Sequence, residues 1–146
     1  MIRGVTAADL PELVRLCAGH AVFERMPFTD EGLVERLGLA LFSSPARLHA
    51  WVAETDGVMV GYVSAALEFS TWHARDFVHM DCLFLREGCR GQGLGAALLD
   101  RVVDFAREQG VDEVQWQTPD WNLEAARFYR RHGAEARSKL RFTLEL

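Results

Sequence analysis

Four glycines fall within eight residues, Gly88-Cys89-Arg90-Gly91-Gln92-Gly93-Leu94-Gly95, between an apolar run ending Leu83-Phe84-Leu85 and an Ala96-Ala97-Leu98-Leu99 segment. A chain written this way leaves a strand, turns with almost no side chains and enters a helix. Gly91, Gly93 and Gly95 remove side chains where the backbone has to come close to something. The N–H groups that open the following helix carry partial positive charge. Together they make a cradle suited to an anion such as a pyrophosphate. A P-loop is excluded, because no Gly-Lys-Ser/Thr follows. A dinucleotide fingerprint also fails: Gly91-x-Gly93-x-Gly95 lacks the third spacing, and no ribose-binding acid stands at the end of the next strand. A glycine-rich turn without a ligand is the plain alternative.

The flanking periodicity sets the architecture. Phe77–Leu85 is apolar and rich in β-formers, as a strand should be. A helix is predicted from Leu94 to about Gln109, burying Leu94, Leu98, Val102 and Phe105 and ended by Gly110. Upstream, Ile2–Val5 reads as a short strand. Thr6 or Asp9 caps a helix to about His20, with Leu10, Leu13, Val14 and Cys17 on one face. Thr29-Asp30-Glu31 opens a second helix striped by Leu33, Leu37 and Leu41. Leu48–Glu54 and Val58–Phe69 read as strands joined at the Asp56-Gly57 turn. Downstream come a strand at Val111–Gln117, a helix from Asn122 that ends before Gly133, and a final strand at Arg141–Leu146. Antiparallel hairpins with one strand–helix–strand crossover predict a mixed α/β layered fold. No repeat or linker interrupts residues 1–146, so one domain is expected.

Composition narrows the partners. Hydrophobic residues make up 49% and charged residues 25%, as in a globular protein. No apolar stretch approaches the length of a membrane span, so no membrane partner is expected. Met1–Thr6 has no signal-peptide pattern, and the expected location is cytoplasmic. Three cysteines without CxxC spacing argue against a disulfide framework. Cys17 and His20 form a C-x-x-H pair with no second pair, so no metal is expected. A net charge of −5 opposes binding to a phosphate backbone and mildly favours a cationic substrate.

Arg90-Gly91-Gln92-Gly93-Leu94-Gly95 fits Arg-x-x-Gly-x-Gly and closely resembles the coenzyme A pyrophosphate loop of the GNAT superfamily. A second segment, Asn122-Leu123-Glu124-Ala125-Ala126-Arg127-Phe128-Tyr129 through Gly133, resembles that superfamily's Asn-x-x-Ala-x-x-Phe-Tyr-x-x-x-Gly helix. Read alone, Asn122 is a helix N-cap and Phe128 a core residue. His79–Leu85, Asp120-Trp121-Asn122, Val60-Gly61-Tyr62 and Ser70-Thr71-Trp72 look like the matching segments of the spermidine/spermine and thialysine N-acetyltransferase branch. The chain departs from that branch at Asp81, where it usually has Glu, and at Cys82, where it has an acid. Glu87 stands where the family often has Pro.

The resemblance implies a GNAT fold, a mostly antiparallel central sheet with a splayed parallel pair, flanked by helices. It also implies acetyl transfer from acetyl-CoA to a primary amine by direct attack in a ternary complex. A small cationic amine is the expected substrate; protein N-termini or lysines, and a non-catalytic acetyl-CoA-binding regulator, are the alternatives. An alkylammonium has a pKa of about 10.4, so roughly one molecule in a thousand is nucleophilic near neutrality. The site therefore needs a proton acceptor, a donor for the carbonyl oxygen and an acid near the sulfur.

By the same resemblance Asp81 is the base, directly or through water, or else a substrate-orienting carboxylate. Tyr129 would protonate the leaving thiolate, or pack against the cofactor. Leu83, Phe84 and Leu85 would meet the pantetheine arm and the thioester through their backbone. Gly91, Gln92, Gly93, Leu94, Gly95 and Ala96 would contact pyrophosphate, with Arg90 neutralising charge. Asn122 and Ala125 would reach the cofactor near its thiol end. Phe23 and Glu24 match the branch's amine-recognition segment, and Trp72 would line the amine cleft or lie in the core or a dimer interface. A homodimer is the implied assembly.

Overall fold

The computed structural model describes residues 1–146. Its elements run β1 (Ile2–Gly4), a 3-10 turn (Ala7–Asp9), α1 (Leu10–Phe23), α2 (Leu33–Phe42), β2 (His49–Thr55), β3 (Val58–Ser70), β4 (Arg75–Leu85), α3 (Leu94–Glu108), β5 (Val114–Gln115) and α4 (Leu123–Arg131). The strands form one sheet in chain order, antiparallel from β1 to β4 and parallel between β4 and β5. The mixed α/β expectation holds. Asp56 and Gly57 both take positive φ at the β2–β3 turn, as the dipeptide predicts.

Two apolar clusters sandwich the sheet. On one face Leu98, Leu99, Val102 and Phe105 of α3 pack on Val63, Val78 and Met80. On the other, Leu10, Leu13 and Leu16 of α1 pack on Val52, Tyr62 and Phe84, with Val34, Leu37 and Leu41 of α2 closing the layer. At the chain start, Arg3 donates to both carboxylate oxygens of Asp9 at 2.7 and 3.0 Å and to Glu54 at 2.9 Å. Asp9 also accepts from the Thr6 N–H at 2.7 Å, which ties β1 to the entry of α1.

Several boundaries differ from the sequence reading, each for a local reason. α1 continues three residues past His20 to Phe23, and Glu24 closes it by donating its N–H to His20 O at 2.9 Å. α2 starts at Leu33 because Gly32 takes a left-handed φ of 67°, leaving Thr29 and Asp30 in irregular chain and Glu31-Gly32 in a turn. β5 shrinks to two residues because it parts from β4 after one short stretch of pairing. The strand expected at Arg141–Leu146 does not form, and Leu140, Phe142, Leu144 and Leu146 are exposed. Their alternation is a strand pattern, but a ladder also needs a partner edge, and the two-residue β5 offers almost none.

Candidate active site

The divergence of β4 from β5 opens the site. Pairing ends at His79 and Gln115, while β4 runs on to Leu85. Arg86 donates its N–H to Val60 O at 2.8 Å. Antiparallel bonding alternates, so Phe84 faces Tyr62 of β3 while the N–H and C=O groups of Leu83 and Leu85 point to the free edge. A cavity of about 420 Å³ occupies the gap.

The glycine loop forms one end of this cavity. Gly93 is the residue before α3, at φ 81°, and no side chain caps the helix. The first intrahelical bond runs from Ala97 N–H to Gly93 O at 3.0 Å, so the N–H groups of Leu94, Gly95 and Ala96 are left without helical acceptors. Arg90, Gly91, Gly93, Gly95 and Ala96 line the cavity. Arg90 donates Nε–H to Leu85 O at 3.3 Å and lies over the Phe23 ring, 4.3 Å from its centre. Leu94 does not line the cavity, and its side chain packs on the core beneath α3. Gln92 turns back, donating Nε2–H to Gly88 O at 3.3 Å.

Asp81 reaches the cavity through a β-bulge. Ser64 pairs with Cys82 and Ala65 with Met80, so Asp81 is the unpaired extra residue of β4. Its side chain is 61% exposed, with Oδ1 3.7 Å from His79 Nε2. A second carboxylate, Glu24, lines the same cavity from the end of α1, beside Phe23. Opposite stands α4. Asn122 Oδ1 accepts from Ala125 N–H at 3.2 Å, capping the helix, and both residues line the cavity. Tyr129 sits edge-on to Trp116, with centroids 5.1 Å apart. Burial, with the Glu24 carboxylate adding to it, pushes the Tyr129 hydroxyl up to about 12.

Residues 13–134 match the Acetyltransferase (GNAT) family. The chain belongs to that family. It is 26% identical over 143 residues to the thialysine N-epsilon-acetyltransferase of Bos taurus, covering 92% of this chain and 84% of the relative. It is 34% identical over 80 residues to the L-ornithine N5-acetyltransferase NATA1 of Arabidopsis thaliana, covering 55% of this chain and 35% of that one. A crystal structure described as a predicted acetyltransferase with acetyl-CoA, from Clostridium acetobutylicum, superposes with a TM-score of 0.80 at 18% identity, covering 100% of this chain and 94% of the other. This GNAT protein is an acetyl-CoA-dependent N-acetyltransferase.

Trp72 is not brought to the site. It is 94% exposed at the turn between β3 and β4, and the six residue steps from Arg75 to Asp81 span about 20 Å of strand. Conversely, the sequence did not assign His20, Trp116, Thr118 or His132 to the site, although all four line the cavity. For His20 a signal existed, since it lies one helical turn before Glu24. Trp116 could not be placed without knowing where β5 leaves β4. No three His, Cys, Asp or Glu side chains converge to hold a metal ion, and no helix is long and apolar enough to cross a membrane.

Proposed function

We propose that this GNAT enzyme acetylates a primary amine on a small cationic molecule, with the amine entering between Asp81, Glu24 and Tyr129. The observation that carries the reading is the pairing of two carboxylates with one phenol around a free strand edge. Acetyl-CoA, when bound, supplies the thioester carbonyl and a thiolate leaving group. The residues present suit it: three free N–H groups and Arg90 for the pyrophosphate, and the edge of Leu83 and Leu85 for the pantetheine amides. Asp81 takes the ammonium proton, directly or through water, and frees the nitrogen lone pair. The amine then attacks the carbonyl carbon while the Leu83 N–H stabilises the developing oxyanion. Tyr129 keeps its proton throughout the neutral range, so it offers an O–H to the sulfur as the C–S bond breaks, and its phenolate then takes up the second proton shed by the attacking nitrogen.

The thialysine and ornithine acetyltransferase relatives support an amine of this kind. Assembly as a homodimer belongs to the same reading. The exposed Leu140, Phe142 and Leu144 supply an apolar stripe that a second copy would cover, and sedimentation tests it. The deciding experiment is a panel of monoamines, diamines, lysine analogues and peptides assayed by thiol release from acetyl-CoA. Turnover of cationic small amines in preference to peptides is expected. Turnover of peptides alone would replace this substrate class with a protein one.

A further inference from the structure

The Tyr129 phenol is held by rings and by no hydrogen bond. No group of the chain pairs with its hydroxyl, and no fully buried side-chain oxygen or nitrogen lacks a partner. The phenol oxygen therefore opens onto the cavity that Tyr129 lines. A hydroxyl without a protein partner is free to donate to the sulfur. It also does nothing to fix the ring that carries it.

Two aromatic neighbours supply that constraint. Trp116 meets the Tyr129 ring at 62° with centroids 5.1 Å apart, and Phe128 meets it at 63° and 5.3 Å. Both are edge-to-face contacts, which set the tilt of a ring as well as its distance. Phe128 belongs to α4, the helix of Tyr129 itself. Trp116 is the aromatic contact from outside that helix, and it ties the phenol to the sheet.

Trp116 is placed by the divergence of the strands. β5 pairs with β4 only at Val114 and Gln115, and Trp116 is the next residue. Side chains two apart share a face, and both Val114 and Trp116 pack on the cluster that contains Leu98, Val102 and Phe105. With β4 gone from its side, the indole also lines the cavity. It is anchored in the core and borders the site at once. Burial pushes the Tyr129 hydroxyl up to about 12, and the indole is part of that cover.

We propose that Trp116 is a positioning residue, holding the Tyr129 phenol at the angle from which its O–H meets the sulfur of the departing thiolate. This rests on the acetyl-transfer reading above. Trp116 acts through Tyr129 and not on the reacting atoms.

The test is a double-mutant cycle on Trp116 and Tyr129, read in single-turnover assays of thiol release with each amine of the panel above. Trp116→Leu should slow the step about 10–100-fold, the scale of a small misplacement of a reacting group. Acetyl-CoA affinity should stay within about threefold, since the glycine loop and the β4 edge are untouched. In a Tyr129→Phe background, Trp116→Leu should cost at most about twofold more, because the hydroxyl it aims is gone. Trp116→Phe keeps a ring edge and should recover most of the rate.

A second readout needs no substrate. Phenolate absorbance follows Tyr129 alone, since burial holds the other tyrosine, Tyr62, far above the usual range. The wild type should titrate at about 12. Trp116→Leu should titrate lower, toward the ordinary value of about 10, as water reaches the hydroxyl. If Trp116→Leu does not fold, Trp116→Met takes its place in both measurements. A penalty of equal size with and without the Tyr129 hydroxyl, or an unmoved titration, would overturn this inference and leave the acetylation reading standing. Absence of thiol release with every amine of the panel would overturn both.

Discussion

The Arg90 guanidinium lies 4.3 Å from the centre of the Phe23 ring, joining the anion-binding loop to the end of α1. The link extends to Trp121 and Arg25. Phe23 meets Trp121 with centroids 6.0 Å apart, and Arg25 lies 4.0 Å over Trp121. Arg25 holds a left-handed φ of 60° in that arrangement. Phe23→Ala should weaken acetyl-CoA binding a few-fold, since an exposed cation–π contact contributes about 0.5–1 kcal/mol. Arg90→Ala should weaken it further and flatten its salt dependence. Calorimetry at two ionic strengths measures both effects, and an unchanged salt slope in Arg90→Ala would remove the phosphate role.

Gly93 takes φ 81° at the start of α3, where a branched side chain is strained and would also stand in the cradle. Saturating acetyl-CoA at about 100 times its Kd should stabilise the wild type by about 2.7 kcal/mol. Gly93→Val should lose most of that gain in a thermal shift assay. A melting point of the wild type that ignores millimolar acetyl-CoA would contradict the cradle.

Tyr129→Phe removes one oxygen and keeps the ring against Trp116. kcat should fall strongly in single-turnover assays while acetyl-CoA affinity stays nearly constant. The wild-type hydroxyl titrates only at about 12, so its deprotonation should produce no alkaline loss of activity below pH 10. Full single-turnover activity of the variant would leave Tyr129 a packing ring.

Asp81→Asn should lower kcat/KM at neutral pH by about 10²–10⁴-fold if the carboxylate accepts the proton. The deficit should shrink toward alkaline pH, because the amine then arrives deprotonated. A deficit constant to pH 10, in a folded variant, would assign Asp81 to orienting the substrate.

His49 packs 4.4 Å from Phe105, and its burial lowers its proton affinity, as burial does for His20. The unfolded chain takes up those protons near pH 6.5 and the folded chain only at lower pH. Stability should therefore be full above about pH 7 and decline as pH falls through 6.5 toward the folded values. Asp9, held low by Arg3, contributes in a separate window below about pH 4. His49→Gln should flatten the upper decline in urea titrations at pH 7 and 5.5. An unchanged slope would place the effect elsewhere.

Sequence alone determined the elements that depend on neighbours in the chain. The glycine loop, the α3 stripe of Leu98, Val102 and Phe105, the Asp56-Gly57 turn and the Asn122 cap are short-range patterns, and each was legible. Loop and helix motifs together were enough to indicate the family, because backbone approach to an anion constrains residue type directly. Tertiary structure decided what depends on partners far along the chain. The bulge that re-aims Asp81 exists only in the pairing of β4 with Ser64 and Ala65. Trp72, next to a plausible cleft in sequence, ends at the far tip of a hairpin because β3 and β4 run long. The Arg141–Leu146 alternation formed no strand, since period-two patterning supplies a face but not an edge to pair with. His20 entered the site only when α1 ran past it to Phe23 and set the imidazole between Glu24 of its own helix and Tyr62 of a strand 42 residues away.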